Sequence, residues 1–301
     1  MYRLATYQGK TGPRAGIVVG ETLYDAAEAT GEPAYRTVLD ILGDWPRSSD
    51  RIATLVARGL SNGWPVKDAQ LRAPVLWPSA IYCAGANYRD HAAEMARVLN
   101  RPHDPNADRG LPWHFLKATR CVADPGETVR AAWYSKKLDW EVELAAVIGR
   151  PAKQVSVERA LDYVAGYTVA NDLSARELGR RQNLDPRSPF AHDWTLQKSF
   201  DGSCPLGPWI VPASEIPDPQ NLKMKLWVND VIKQDSSTGE MIFTVAEQIA
   251  QLSRGMTLYP GDLILTGTPA GVGLARNEFL KSGDTVRLEI ERIGTISNTI
   301  E

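Results

Sequence analysis

Cysteine is scarce in this chain: 301 residues hold three, Cys83, Cys121 and Cys204, odd in number and far apart. They supply neither a disulfide framework nor a zinc knuckle, so inert buried thiols in a reducing cytoplasm are expected. Charge of one sign is lacking as well. A formal net charge of -2 and a pI near 6.1 leave no broad basic field for phosphate backbones or anionic lipid, which excludes nucleic acid and membrane surfaces as expected partners. No apolar run approaches the roughly 20 residues that a bilayer span requires. The opening Met1 to Lys10 has neither the apolar core of a signal peptide nor the arginine-rich pattern of a transit peptide. Repeats and low-complexity tracts are also absent. What is present, 43% hydrophobic and 23% charged residues, suits a globular chain with a sizeable core.

Residues 1 to 72 read as a small α+β leading unit, with strand-like pieces at Arg3 to Tyr7 and Ala15 to Val19 and a helix around Ser49 to Arg58. The prolines of Arg72 to Pro78 withhold backbone donors and favour extended chain, so a connector is expected there and a second unit from Ser79 to the end, 79–301. In that unit several segments alternate apolar and polar residues with period two. Leu138 to Ile148 is the clearest, and Leu222 to Gln234 reads as a hairpin turning at Asn229-Asp230. Two helices are expected, one from Ser156 to Gly166 and one opened by a Thr244/Glu247 capping box and closed near Gly255. The fold class is therefore mainly β with a few helices.

The period of Leu138 to Ile148 puts Glu141 and Glu143 on one face, with Val142, Leu144, Ala146 and Ile148 on the other. Two carboxylates side by side fit the solvent face of an antiparallel strand, or, in a buried strand, a site where a cation compensates them. Asp172, at the end of the strand-like run from Gly166, would complete an oxygen set suited to Mg²⁺ or Mn²⁺, and Ca²⁺ accepts the same donors. The lack of a nearby Cys or His cluster counts against zinc. In Asn87-Tyr-Arg-Asp-His91-Ala-Ala-Glu94, a three-residue spacing makes His91 and Glu94 neighbours on a helix face. A carboxylate beside an imidazole makes a competent base near neutral pH, although the same spacing also describes an ordinary exposed pair.

Leu138 to Gly149, Ala170 to Arg176, Trp194 to Asp201, Gly202 to Pro208 and Leu265 to Gly273 together resemble, in order, the successive signatures of the fumarylacetoacetate hydrolase family. The likeness covers roughly residues 79 to 290 and is nearest the acylpyruvase and oxaloacetate decarboxylase branch. It implies a catalytic domain of mixed β-sheets rolled around the active site, a small N-terminal domain and a homodimer. Carried over residue by residue, it makes Glu141, Glu143 and Asp172 the metal ligands, and His91 and Glu94 a water-activating pair on a lid whose flexible part is Val98 to Trp113. It places Lys198 inside the pocket to stabilise an enolate, where the residue alone would suggest a surface ammonium. Arg176 is implied to meet a substrate carboxylate, a surface salt bridge being the alternative, and Thr268 of the glycine loop is implied to line the pocket. His103, His114 and His192 receive no role. One departure stands out, because many relatives carry glutamine where this chain has Gly179.

The implied activity is Mg²⁺-dependent hydrolysis of a carbon–carbon bond in an acylpyruvate, releasing pyruvate or a related 2-oxo acid, in the catabolism of aromatic compounds or sugar acids. Decarboxylation of oxaloacetate, or isomerisation or hydration of a 2-oxo dienoate at the same site, is the alternative. A non-catalytic cation-binding β-domain would give a closed metal site and no reason for His91, Glu94 and Lys198 to converge, and a protein-interaction module would give an exposed apolar patch and tolerance of changes at Glu141 and Glu143.

Overall fold

The computed structural model describes residues 1–100, 102, 110–131, 133–181, 184, 185 and 187–301. Of the segment Val98 to Trp113 expected to be the flexible part of a lid, residues 101 and 103–109, including His103, lie outside the described residues.

The strand Val142–Ile148 is buried at every position, because the sheet it belongs to is covered on both sides. Val142, Leu144, Ala146 and Ile148 enter a core shared with Met224, Leu226, Val286 and Leu288. Ala145 and Val147 enter another, shared with Leu4, Ile17, Ile41, Leu42 and Ile52. The expected single buried face is therefore corrected: period two here separates two cores, and Glu143 is the only charged side chain that the strand carries into them. A second correction concerns its start. Leu138–Asp139 pairs separately with Ser174–Ala175, so Glu141 sits in the link between two strands.

Among the described residues, a 12-stranded sheet runs from the N-terminal strands through Arg3–Gly9, Cys204–Pro212, Val164–Asn171, Val142–Ile148, Leu263–Leu265 and Ile81–Ala84 to the edge strand His114–Lys117. A 5-stranded sheet holding Lys223–Val228, Val231–Ser237, Thr285–Ile290 and Gly294–Ile300 packs against one of its faces. Arg3–Gly9 is hydrogen-bonded to Cys204–Pro212 at Leu4↔Ile210, so the leading segment shares a sheet with the rest of the chain. The helix Trp45–Arg58 extends the expected one by a turn. The Asn229-Asp230 turn has both residues at positive φ, 49° and 63°, as a tight hairpin requires. The Thr244/Glu247 capping box opens the helix Val245–Gly255.

The helix expected from Ser156 to Gly166 starts where expected, with Ser156 at its N-cap, but it is a 3₁₀ helix and ends three residues early. A 3₁₀ segment, Val157–Tyr163, gives way to the strand Val164–Asn171, in which Gly166 is an interior residue. There a Cβ would lie 2.2 Å from the Val211 carbonyl oxygen, so glycine at this position serves close strand approach. Gly166→Ala is expected to cost about 2 kcal/mol or more by overpacking against backbone, read as a lowered urea midpoint.

Candidate active site

Strand register builds the acidic cluster. Val142 pairs with Asn171 and Glu143 with Ala170, so one step further the chain sets Glu141 opposite Asp172. The Asp172 N–H donates to the Glu141 carbonyl at 3.0 Å, and Asn171 Oδ1 accepts from the Glu141 N–H at 3.0 Å. On the other side Ala145 pairs with Leu265, which brings the following turn over Glu143 and lets the Gly267 N–H donate to Glu143 Oε2 at 2.7 Å. One oxygen from each of Glu141, Glu143 and Asp172 lies within 4.8 Å of the others, and all three side chains are buried.

Buried cations answer this charge. Lys198, 3% exposed, donates through Nζ to Glu141 Oε2 at 2.8 Å and to Asp172 Oδ2 at 2.7 Å. The surface alternative for Lys198 is thereby excluded. It closes the short helix Trp194–Lys198, and Ser203 Oγ donates to its carbonyl. Lys117, which sequence reasoning missed, lies on the edge strand and donates to Asp172 Oδ1 at 2.6 Å. Its signal was arithmetic: three buried carboxylates against one lysine leave an excess of negative charge that a low-dielectric site does not tolerate. Arg176 is partly buried and bridges two buried carboxylates, Asp139 Oδ2 at 2.7 Å and Glu141 Oε1 at 2.5 Å, so its ion pairs belong to the site and not to the open surface.

These contacts divide the titration of the cluster. Burial works against ionisation of Glu141, but Lys198 and Arg176 outweigh it and hold the carboxyl near about 2. For Glu143, burial and the charges of Asp172 and Glu141 act together and lift the carboxyl well above its ordinary value. Burial opposes the charge on Lys198 and Lys117, and the facing carboxylates reverse that, raising both ammonium values. Three carboxylates with a proton held on one of them form an oxygen donor set that fits a hard divalent cation, since the cation replaces that proton.

A pH dependence follows. In cation-free protein, Glu143 holds a proton in the folded state at pH values where the unfolded chain has released it. Stability is therefore lost as pH rises from the unfolded value of 4.5 toward the raised folded value. A divalent cation reverses this. Titration calorimetry in buffers of differing ionisation enthalpy should show proton release on Mg²⁺ or Mn²⁺ binding, with affinity rising with pH; pH-independent binding without proton release would contradict it.

The helix Arg89–Val98 carries His91 and Glu94, and the glycine turn holds it just before its start and at its middle. Asn87 Nδ2 donates to the Thr266 carbonyl at 2.7 Å, and the Gly271 N–H donates to the Glu94 carboxylate at 3.0 Å. His91 Nδ1 lies 3.5 Å from Glu94 Oε2 and is buried without a hydrogen-bond partner, so the two groups are adjacent but not joined. Burial would raise the Glu94 carboxyl, but His91 and the Gly271 N–H bring it below its usual value. The Thr268 hydroxyl donates to the Val142 carbonyl at 3.0 Å and accepts from Gln234 Nε2 at 2.9 Å, which leaves one lone pair for a ligand. At Gly179 the structure accounts for the departure noted in the sequence. A Cβ there would sit 1.9 Å from Gln197 Oε1, so the missing side chain makes room for Gln197. Of the other histidines, His114 lies 3.4 Å from Gln248 Oε1, and the backbone of His192 bridges to Arg180.

A sheet buried on both faces, with an acidic triad and two buried lysines where its strands end, defines an enzyme with a preorganised, charge-balanced centre. The Fumarylacetoacetate (FAA) hydrolase C-terminal family matches residues 80–301, and the chain belongs to the fumarylacetoacetate hydrolase family. It is 41% identical over 238 residues to oxaloacetate tautomerase FAHD2B, mitochondrial, of Homo sapiens, covering 78% of this chain and 71% of that protein. It is 40% identical over 241 residues to oxaloacetate tautomerase YisK of Bacillus subtilis, covering 79% and 75%. Among solved structures, it is similar to maleylpyruvate hydrolase from Sphingobium sp. SYK-6 in complex with manganese(II) ion and pyruvate, with a TM-score of 0.76, 30% identity and coverage of 99% and 98%. Fumarylacetoacetate hydrolase from psychrophilic Exiguobacterium antarcticum gives a TM-score of 0.78 at 29% identity, with coverage of 100% and 99%.

Proposed function

We propose that this enzyme moves a proton between oxygen and carbon in a 2-oxo dicarboxylic acid, interconverting the enol and keto forms of oxaloacetate with a divalent cation bound. The observation that carries the reading is the meeting of three buried carboxylates and two buried lysines at one point of the sheet. The tautomerase names of relatives at 40–41% identity favour oxaloacetate over the acylpyruvate expected from sequence.

Glu141, Glu143 and Asp172 would hold Mg²⁺ or Mn²⁺, which when bound supplies a Lewis acid and a template for neighbouring carboxylate and oxo oxygens. Lys198 and Lys117 place positive charge where the enolate oxygen gains negative charge. In the enol-to-keto direction the enol O–H proton leaves to base and the carbon next to the 2-oxo carbon gains one, so protons balance. His91 holds that transferable proton, with the Glu94 carboxylate beside its ring. Arg176 and Thr268 belong to the substrate side of the same proposal, as do a homodimer, a cytoplasmic location and a boundary between units at 72–79.

The test follows the decay of the ultraviolet absorbance of enol-oxaloacetate with Mg²⁺ present. Acceleration over buffer supports the reading, and an enol decay no faster than in buffer would refute it.

The similarity to maleylpyruvate hydrolase favours a second reading. There His91 takes a proton from water, the hydroxide adds to the distal carbonyl carbon, and the bond from that carbon to the pyruvyl methylene breaks. The pyruvate enolate then gains a proton. Pyruvate released from a 2,4-dioxo acid, with no effect on enol-oxaloacetate, would select this reading.

A further inference from the structure

Asp139 is fully buried and lies outside the acidic triad. Its Oδ1 accepts from the Trp140 N–H at 2.8 Å and the Gly273 N–H at 2.6 Å. Its Oδ2 accepts from the Leu274 N–H at 2.9 Å and from Arg176 Nε at 2.7 Å. Two carboxylate oxygens offer about four lone-pair sites, and here each has a donor, so Asp139 has nothing left to give a cation. The other arm of the same guanidinium donates to Glu141 Oε1 at 2.5 Å.

We propose that Asp139 is the positioning residue for Glu141: by taking up the charge of Arg176, it lets Arg176 fix the Glu141 carboxylate without neutralising it toward a divalent cation. Without Asp139, the guanidinium would keep Glu141 as its one carboxylate partner among the described residues. A cation approaching the triad would then share Glu141 with a guanidinium that has no other carboxylate to offset its charge. With Asp139 in place, Glu141 Oε1 is held by Arg176, and Oε2 is the oxygen that Lys198 joins to Asp172 Oδ2. The same carboxylate ties the turn at 273–274, next to Gly271, whose N–H holds Glu94. One buried side chain thus fixes a cation ligand and the glycine loop together.

The inference rests on the metal reading, and its test separates the two. Mn²⁺ affinity is measured without substrate, by paramagnetic resonance of the free ion, for wild type, Asp139→Asn, Arg176→Gln and the double variant, each checked for cooperative melting. One unit charge roughly 7 Å from a divalent ion at an effective dielectric near 20 predicts a loss of affinity of about 10³-fold or more for Asp139→Asn. Adding Arg176→Gln removes the competing charge and should return affinity to within about fivefold of wild type, a recovery that a merely structural Asp139 would not produce. If Asp139→Asn does not fold, the charge-neutral double variant carries the test alone: folded and binding Mn²⁺ supports the inference, folded and not binding overturns it. Unchanged affinity in Asp139→Asn, or a double variant no tighter than that single one, overturns it while the metal reading stands. Wild-type protein that binds no Mn²⁺ overturns both.

Discussion

Enzyme freed of divalent cations by a chelator is expected to lose turnover of enol-oxaloacetate by roughly 10³-fold or more, and to regain it with Mg²⁺ or Mn²⁺. The expectation comes from the oxygen set itself. Glu141, Glu143 and Asp172 offer oxygens within 4.8 Å of one another inside a sheet covered on both faces, where neighbouring carboxylates and burial force a proton onto Glu143. Glu143→Ala removes that ligand and leaves the register of the strand intact, so it should fold and yet fail to be rescued by added cation. Full turnover by protein shown to be metal-free would remove the triad from the reaction.

His91→Ala is expected to depress the reaction by about 10²- to 10⁴-fold, the usual range for loss of a general acid or base. The comparison of substrates carries more information than the loss itself. Cleavage of a 2,4-dioxo acid needs an activated water in its first step, and enol-to-keto conversion needs a proton delivered to carbon, so both require a titratable group. Decarboxylation of oxaloacetate needs an electron sink and only later a proton, so it should be spared relative to the other two. Glu141→Ala should damage all three. Measuring them on one preparation separates misfolding, which lowers every rate together, from loss of His91. If His91→Ala leaves both proton-dependent rates intact, the helix Arg89–Val98 has no chemical role.

What could be read in the sequence was what is local. The Thr244/Glu247 box and the Asn229-Asp230 turn are decided within four residues, and the structure shows both. The E-x-E pair and Asp172 were visible as residues, but their meeting depends on the pairing of Val142 with Asn171, which no periodicity states. Lys117 and Asp139 were missed because their partners, Asp172 and Arg176, are 55 and 37 positions away. Gly166 misled because a glycine closing a helix and a glycine admitting a neighbouring strand look alike until the neighbour is known. His91 and Glu94 were correctly read as helix neighbours, yet the sequence did not indicate that Glu94 would be bound to the Gly271 N–H.

The space shared by Gly179 and Gln197 has a consequence for inheritance. With an ideal Cβ at 179 only 1.9 Å from Gln197 Oε1, the two positions draw on one volume, and a side chain at 179 would displace the amide end of Gln197. A lineage that gains a larger residue at 179 must swing the Gln197 side chain aside or shorten it, so a change at 179 is felt at 197. Because 197 directly precedes Lys198, exchange at this pair can reshape the rim of the site while its charged centre stays as it is.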